Sequence, residues 1–302
     1  MTTPTLPDSR NEHIKINIDG TLYARDEAKV SVFDSVVQGG DAVWEGIRVY
    51  NGKVFMLEEH MDRLMDSAKA MAFASIPDRQ YIKQQLFATL QANGMYDEAH
   101  IRLTLTRGRK VTSGMSPHFN QYGCTLIVLA EWKKPVYDQN GIKLITASIR
   151  RNSPQCVDSK IHHNNLINNI MAKIEANIAG VDDAVMLDVD GFVSETNATN
   201  IFFVKHGVLH TPHADSCLPG ITRGNVLDIA EQNNIPVQVR RISHSEMYMA
   251  DEAFVTGSMG GLTPVLEIDG RVISSEPGKV TKSISGLYSQ MTSRLGVAIP
   301  KS

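Results

Sequence analysis

Cysteine is scarce in this sequence: Cys124, Cys156 and Cys217 are the only three in 302 residues. An odd number without paired spacing argues against a disulfide scaffold and points to a reducing, cytoplasmic setting. Charge of one sign is also lacking, since 33 acidic and 30 basic residues leave a formal −3. With a pI near 6.4 there is no basic field to attract nucleic acid or an anionic membrane. No apolar run approaches the roughly 18 residues that a membrane helix needs. The start, Met1-Thr-Thr-Pro-Thr-Leu-Pro7, has no basic region followed by an apolar core, so no signal peptide is expected. Familiar catalytic signatures are missing too. There is no P-loop, no G-x-G-x-x-G after a strand, no nucleophile elbow and no H-E-x-x-H. His210, His213 and Cys217 share a Thr-Pro-His turn without a fourth ligand, and the adjacent His162 and His163 point different ways on a helix. Metal catalysis is therefore not favoured.

What is present is ordinary globular composition, 42% hydrophobic and 21% charged, over a length that suits about two domains. Asp19-Gly20, Asn51-Gly52, Asp190-Gly191, His206-Gly207 and Asp269-Gly270 sit between short β-branched runs. Such pairs tolerate the positive φ of tight turns, so several antiparallel hairpins are predicted, one spanning 201–210. Helices are predicted over 56–73, with Met61, Leu64, Met65, Ala68 and Ala72 on one face, and over 78–93, from the Asp78 cap to Gly94. A longer one fits 161–179, with Leu166, Ile170, Met171, Ile174 and Ile178 inward, and two more fit 223–234 and 279–295. The irregular alternation predicts an α+β chain with mixed or antiparallel sheets. A polar stretch carrying Pro135, Trp132 to Gly141, marks the boundary.

Three segments of the second half combine chemically. Asn152-Ser-Pro-Gln-Cys-Val-Asp-Ser-Lys160 delivers a lysine just before a predicted helix, where partial burial would lower its pKa and make the amine a nucleophile. Glu195 ends a strand amid small polar residues. Leu218-Pro-Gly-Ile221-Thr222-Arg223 leads into a helix N-terminus that attracts phosphate, and the loop Thr256-Gly-Ser258-Met259-Gly-Gly261 offers further donors. An amine, a carboxylate and a phosphate cradle are what pyridoxal 5′-phosphate needs.

With those residues in view, the sequence resembles the fold-type IV pyridoxal-phosphate enzymes, which include branched-chain and D-amino-acid aminotransferases. The matches run from about Ile14 to Gly286: Ala42-Val-Trp-Glu-Gly-Ile-Arg-Val-Tyr-Asn-Gly-Lys-Val-Phe55, Glu59-His-Met-Asp-Arg-Leu-Met-Asp-Ser-Ala-Lys69, Ile101-Arg102, Arg150-Arg-Asn-Ser-Pro154, Lys160, 188–203, 218–223, Ala250-Asp-Glu-Ala-Phe-Val-Thr-Gly257 and Thr263-Pro-Val265. The resemblance implies an α+β fold of two domains with the cofactor between them: a small N-terminal domain over 1–132, a linker over 133–138, and a large domain over 139–302 with a barrel-like sheet. It implies that Lys160 holds the cofactor through a Schiff base and shuttles the α-proton, that Glu195 faces the pyridine nitrogen, and that Arg63 binds the phosphate. Ile221, Thr222 and Ser258 match the phosphate donors and Leu218 the residue against the ring. Arg102, Trp44, Gly39, Asn165 and Met259 fall at substrate-binding positions. A cytoplasmic homodimer acting in branched-chain amino acid biosynthesis is implied, moving an amino group between an L-amino acid and a 2-oxo acid such as 2-oxoglutarate.

The pattern departs where substrate choice is made. Branched-chain enzymes usually carry Tyr-Gly at Gly39-Gly40, Phe at Trp44 and Tyr at Asn165, so the pocket here is expected to be roomier and more polar on one side. Gln38-Gly-Gly-Asp41 is nearer the Gln-Phe-Gly-Asp of the D-amino-acid branch. A D-amino-acid or (R)-amine transaminase and 4-amino-4-deoxychorismate lyase therefore stand as alternatives. A non-catalytic binding relative would have no need of Lys160, Glu195 and Arg63 together.

Overall fold

The computed structural model describes residues 5–301; the first four residues of the stretch read against a signal peptide lie outside them. The chain folds as two compact units. The first takes the chain up to Lys134 together with Ile161–Asn165 and the C-terminal stretch from Thr292; the second takes Pro135–Lys160 and Leu166–Met291. Both 161–165 and the C-terminal stretch thus differ from the sequence reading, which gave them to the second domain. Among the described residues no helix is long and apolar enough to cross a membrane.

In the first unit the order is β1 (Lys15–Ile18), β2 (Thr21–Ala24), α1 (Ser35–Gly39), β3 (Ala42–Tyr50), β4 (Lys53–Val54), α2 (Leu57–Ala70), α3 (Arg79–Asn93), β5 (Ala99–Thr106) and β6 (Thr125–Trp132). In the second it is β7 (Ile142–Thr146), α4 (Ile167–Ala179), β8 (Asp183–Leu187), β9 (Val193–Thr196), β10 (Asn200–Lys205), β11 (Val208–Thr211), α5 (Ile221–Gln232), β12 (Val237–Val239), α6 (His244–Tyr248), β13 (Glu252–Gly257), β14 (Gly261–Ile268) and β15 (Arg271–Val272). α7 (Lys279–Arg294) and β16 (Val297–Ala298) follow. Seven strands form the first sheet in the order β16-β4-β3-β5-β6-β1-β2, antiparallel throughout. The second runs β12-β11-β10-β13-β14-β7-β8-β9 with β15 on β14, and is parallel only at β11/β12, β14/β7 and β7/β8.

The turn chemistry acts as predicted at four hairpins. Asp19, Asn51, His206 and Asp269 take φ of about 50° and the following glycines φ of 72–86°, a primed turn that suits strand twist. Asp78 caps α3 by accepting from Tyr81, and Gly94 closes it in the left-handed region. Leu57, Met61, Leu64 and Ala68 of α2 pack with Ile82, Leu86 and Leu90 of α3 on Val43, Ile47, Ile101 and Leu103 of the sheet. Ala72, predicted to join that face, lies past the helix end at φ 53°.

The predicted helix over 161–179 is corrected in two ways. It starts only at Ile167, because the preceding residues are spent on β3: the Trp44 N–H donates to the His162 carbonyl and the Asn164 N–H to that of Ala42, both 2.9 Å. Its buried face is also the opposite one. Ala172 and Ala176 pack with Ala147, Ala184 and Met186, whereas Ile170, Met171, Ile174 and Ile178 are exposed. Small side chains let the helix approach the β8 backbone closely, which the larger ones would prevent.

Candidate functional site

In the first unit, side chains from β3, β5, α2 and 161–165 form one column. Arg102 on β5 lays its guanidinium 3.4 Å from the Trp44 ring centroid, and on Trp44 the His162 ring follows at 4.1 Å. Trp44 is held by its indole N–H on the His163 carbonyl at 3.2 Å, and Arg102 by Asn164 Oδ1 at 3.3 Å. Burial lowers the Arg102 pKa to about 10, and no carboxylate of the described residues pairs with it. Arg107, by contrast, is committed to Asp41 at 2.6 Å and to two carbonyls at the end of α2.

Below the column lies Glu45, a carboxylate with no exposed surface. Its oxygens accept from Arg63 Nε at 2.8 Å and Nη2 at 2.7 Å, and contact Nδ1 of His60 at 2.6 Å and of His162 at 3.1 Å. Burial would raise the Glu45 pKa, but His162, Arg63 and His60 overcome it and hold the carboxyl well below its usual range. Burial lowers His162 to about 4, against the pull of Glu45. Neutral at pH 7, that imidazole gives its Nδ1 hydrogen to Glu45. Gly39 and Asn165 are both exposed. Asn165 is tied by a 3.2 Å bond from its amide to the carbonyl of Gly40, the neighbour of Gly39 in the chain. A Cβ at Gly39 would meet nothing within 4 Å.

In the second unit Glu195 lies one residue before the end of β9. Its Oε1 accepts from Arg151 Nε at 2.6 Å and its Oε2 from Asn200 Nδ2 at 3.3 Å. Asn200 Nδ2 also reaches the Leu218 carbonyl at 2.9 Å, which brings Glu195 and Leu218 together. Burial raises the Glu195 pKa, and Arg151 and the Leu218 backbone oppose it. Gly220 precedes α5, two residues earlier than predicted, and no side chain caps the helix. Its Ile221 is half-buried and Thr222 buried. Arg223 Nε and Asn225 Nδ2, within the first turns of α5, and the hydroxyl of Thr256, paired in register with Asn200, are buried without a partner. Ser258 and Met259, both half-buried, stand in the β13–β14 turn. Lys160 is exposed, not partly buried as predicted, because it ends a turn in which its own N–H caps on Asp158 at 2.9 Å and no helix follows directly.

Residues 42–268 match the family model for amino-transferase class IV. The chain belongs to that family. Among its class IV relatives is a branched-chain-amino-acid aminotransferase-like protein 2 of Arabidopsis thaliana, 61% identical over 98% of this chain and 54% of its own length. The chain thus spans about half the length of the curated relatives it matches first. A putative branched-chain-amino-acid aminotransferase of Methanocaldococcus jannaschii is 39% identical over 95% of this chain and 99% of its own. Among solved class IV structures, the T.th. branched-chain amino acid aminotransferase complexed with N-(5′-phosphopyridoxyl)-L-glutamate matches at TM-score 0.87 and 32% identity, over 93% of this chain and 95% of that one. The two-domain α+β fold is that of these enzymes.

Of the residues singled out by sequence, the structure joins Arg102 to Trp44 and, through Asn200, Glu195 to Leu218. It adds Glu45, His60, His162, Arg151 and Asn200. A buried ion pair carries no periodic signal, so only the fold reveals it. The one available hint was the polar run His162-His-Asn-Asn165 after Lys160.

Proposed function

We propose that the chain is a pyridoxal 5′-phosphate-dependent aminotransferase of branched-chain type, exchanging an amino group between an L-amino acid and a 2-oxo acid such as 2-oxoglutarate. The observation that carries the reading is the Glu195 carboxylate, buried beside an uncapped helix N-terminus with unpartnered donors. Residues of the second unit fit the cofactor: a ring-nitrogen acceptor at Glu195, an apolar wall at Leu218, and phosphate donors at Ile221, Thr222 and Ser258; Arg63 joins them as a phosphate ligand through the family resemblance alone. When bound, the cofactor supplies an electron sink for a carbanion at the substrate α-carbon. The Lys160 amine anchors it and moves the α-proton. Arg102, a half-buried cation without a carboxylate partner among the described residues, suits a substrate carboxylate; Trp44 shapes the neighbouring wall with Gly39 and Asn165, and the resemblance adds Met259 as a substrate residue. The exposed apolar face of α4 supports a homodimer.

Purified protein should be yellow, with a visible band that borohydride abolishes, and Lys160→Ala should lose both the band and transamination. Colourless protein that takes up no pyridoxal phosphate overturns the proposal. Screening L- and D-amino acids for conversion to 2-oxo acids tests the substrate class; turnover of D-amino acids alone refutes the L-specific reading.

A further inference from the structure

Among the ionic contacts of the second unit, that of Arg151 with Glu195 stands apart. Side-chain exposure is 6% for Arg151 and 7% for Glu195, and the contact uses the guanidinium Nε at 2.6 Å. Arg151 is braced on both sides. Its Nη1 donates to Asn168 Oδ1 at 3.0 Å and its backbone N–H to the Leu187 carbonyl at 2.8 Å. Asn168 is itself fixed, donating to the Arg150 carbonyl at 2.7 Å. On the other carboxylate oxygen Asn200 is anchored by Leu218. Glu195 therefore has a single orientation and a permanent cation on one oxygen.

We infer that Arg151 is a positioning residue that decides where the proton shared by Glu195 and the cofactor's pyridine nitrogen resides. The inference rests on the reading of Glu195 as the partner of that nitrogen. A buried carboxylate facing a pyridine can take the proton itself, giving a carboxylic acid and a neutral ring. It can instead leave the proton on nitrogen, giving a carboxylate and a pyridinium. Burial alone favours the first, because it removes both charges. A guanidinium on Oε1 favours the second: it pairs with the carboxylate charge and lowers its basicity. Only the pyridinium is an effective electron sink, so Arg151 acts on the reaction without touching substrate.

The test uses holoenzyme loaded with cofactor labelled with 15N in the ring. The wild type should show a pyridinium resonance at neutral pH, Glu195→Gln should lose it, and Arg151→Met should move it toward the unprotonated position. Arg151→Lys, which keeps the charge, should retain it and deprotonate about one pH unit lower, a tenfold loss in proton affinity. A resonance unmoved in Arg151→Met while Glu195→Gln shifts overturns the role of Arg151 alone; a resonance unmoved in Glu195→Gln overturns the reading of Glu195 beneath it. If Arg151→Met does not fold, an Arg151→Lys titration identical to wild type overturns the inference. Turnover gives a second readout. Losing one charged hydrogen bond should cost Arg151→Met about 10- to 100-fold in kcat with the natural cofactor. With 1-deaza cofactor, which has no ring nitrogen, it should match the wild type. An equal loss with both cofactors marks a merely structural role and overturns the inference.

Discussion

A guanidinium partly removed from water with no carboxylate opposite it costs stability, and Arg102, half-buried, is such a group. Stacking on Trp44 and one bond to Asn164 offset part of that cost. Replacing Arg102 with Met should therefore leave the folded protein as stable as wild type or more so, while raising the KM for amino acid by about 10- to 100-fold. Thermal melting and initial rates measure the two effects separately. Glu45 is the reverse case. Glu45→Ala leaves Arg63 without its carboxylate in a buried setting and should destabilise by about 3–5 kcal/mol, read by denaturant unfolding. The family motifs around Lys160, Glu195, Arg63 and the 218–223 turn were legible in the sequence because each is a short ordered stretch, whereas the exposure of Lys160 was not. Glu45, His60, His162 and Arg151 were not, because their partners stand 15 to 117 residues away along the chain.

At the scale of elements, α4 and α5 show where periodicity fails and where it holds. The α4 pattern is amphipathic, and its larger apolar face was expected inside. In the structure the alanine face lies against the sheet, and Ile170 and Ile174 stand 54% and 44% exposed. Amphipathicity names two faces without saying which one the same subunit covers. If this face forms the proposed homodimer, Ile170→Asp combined with Ile174→Asp should lower the molar mass in sedimentation from dimer to monomer and leave the far-UV circular dichroism unchanged. α5 was placed within two residues by sequence, and its start depends on Gly220. A Cβ there would fall 2.1 Å from Asn200 Oδ1, so Gly220→Ala must displace Asn200, and through it Leu218 and Glu195. An overpacking cost of about 1–3 kcal/mol, together with weaker cofactor retention on dialysis, is expected.

For the molecule as a whole, buried imidazoles set the acid side of stability. Burial lowers His100 from 6.5 to about 3 and His162 to about 4. Below about pH 6.5 the unfolded chain protonates these rings while the folded one does not, so unfolding takes up protons. Stability is therefore highest above that pH and falls as pH drops toward 4, by up to about 1.4 kcal/mol per pH unit for each ring. Urea midpoints at pH 7 and pH 5 should show the fall, and His100→Gln should flatten it.

Local chemistry is what the sequence by itself determined: the hairpin turns, the caps of α3, the α+β class and the ordered motifs of a class IV aminotransferase. These depend on backbone preferences and on residues close together in the chain, which a linear reading can follow. Tertiary structure alone decided that 161–165 joins β3 rather than extending a helix, that α4 turns its alanines inward, and that Glu45 pairs with Arg63 and Arg151 with Glu195. Each of these is settled by burial and by pairing across long stretches of chain, where the gain from satisfying a buried backbone group or charge outweighs local propensity.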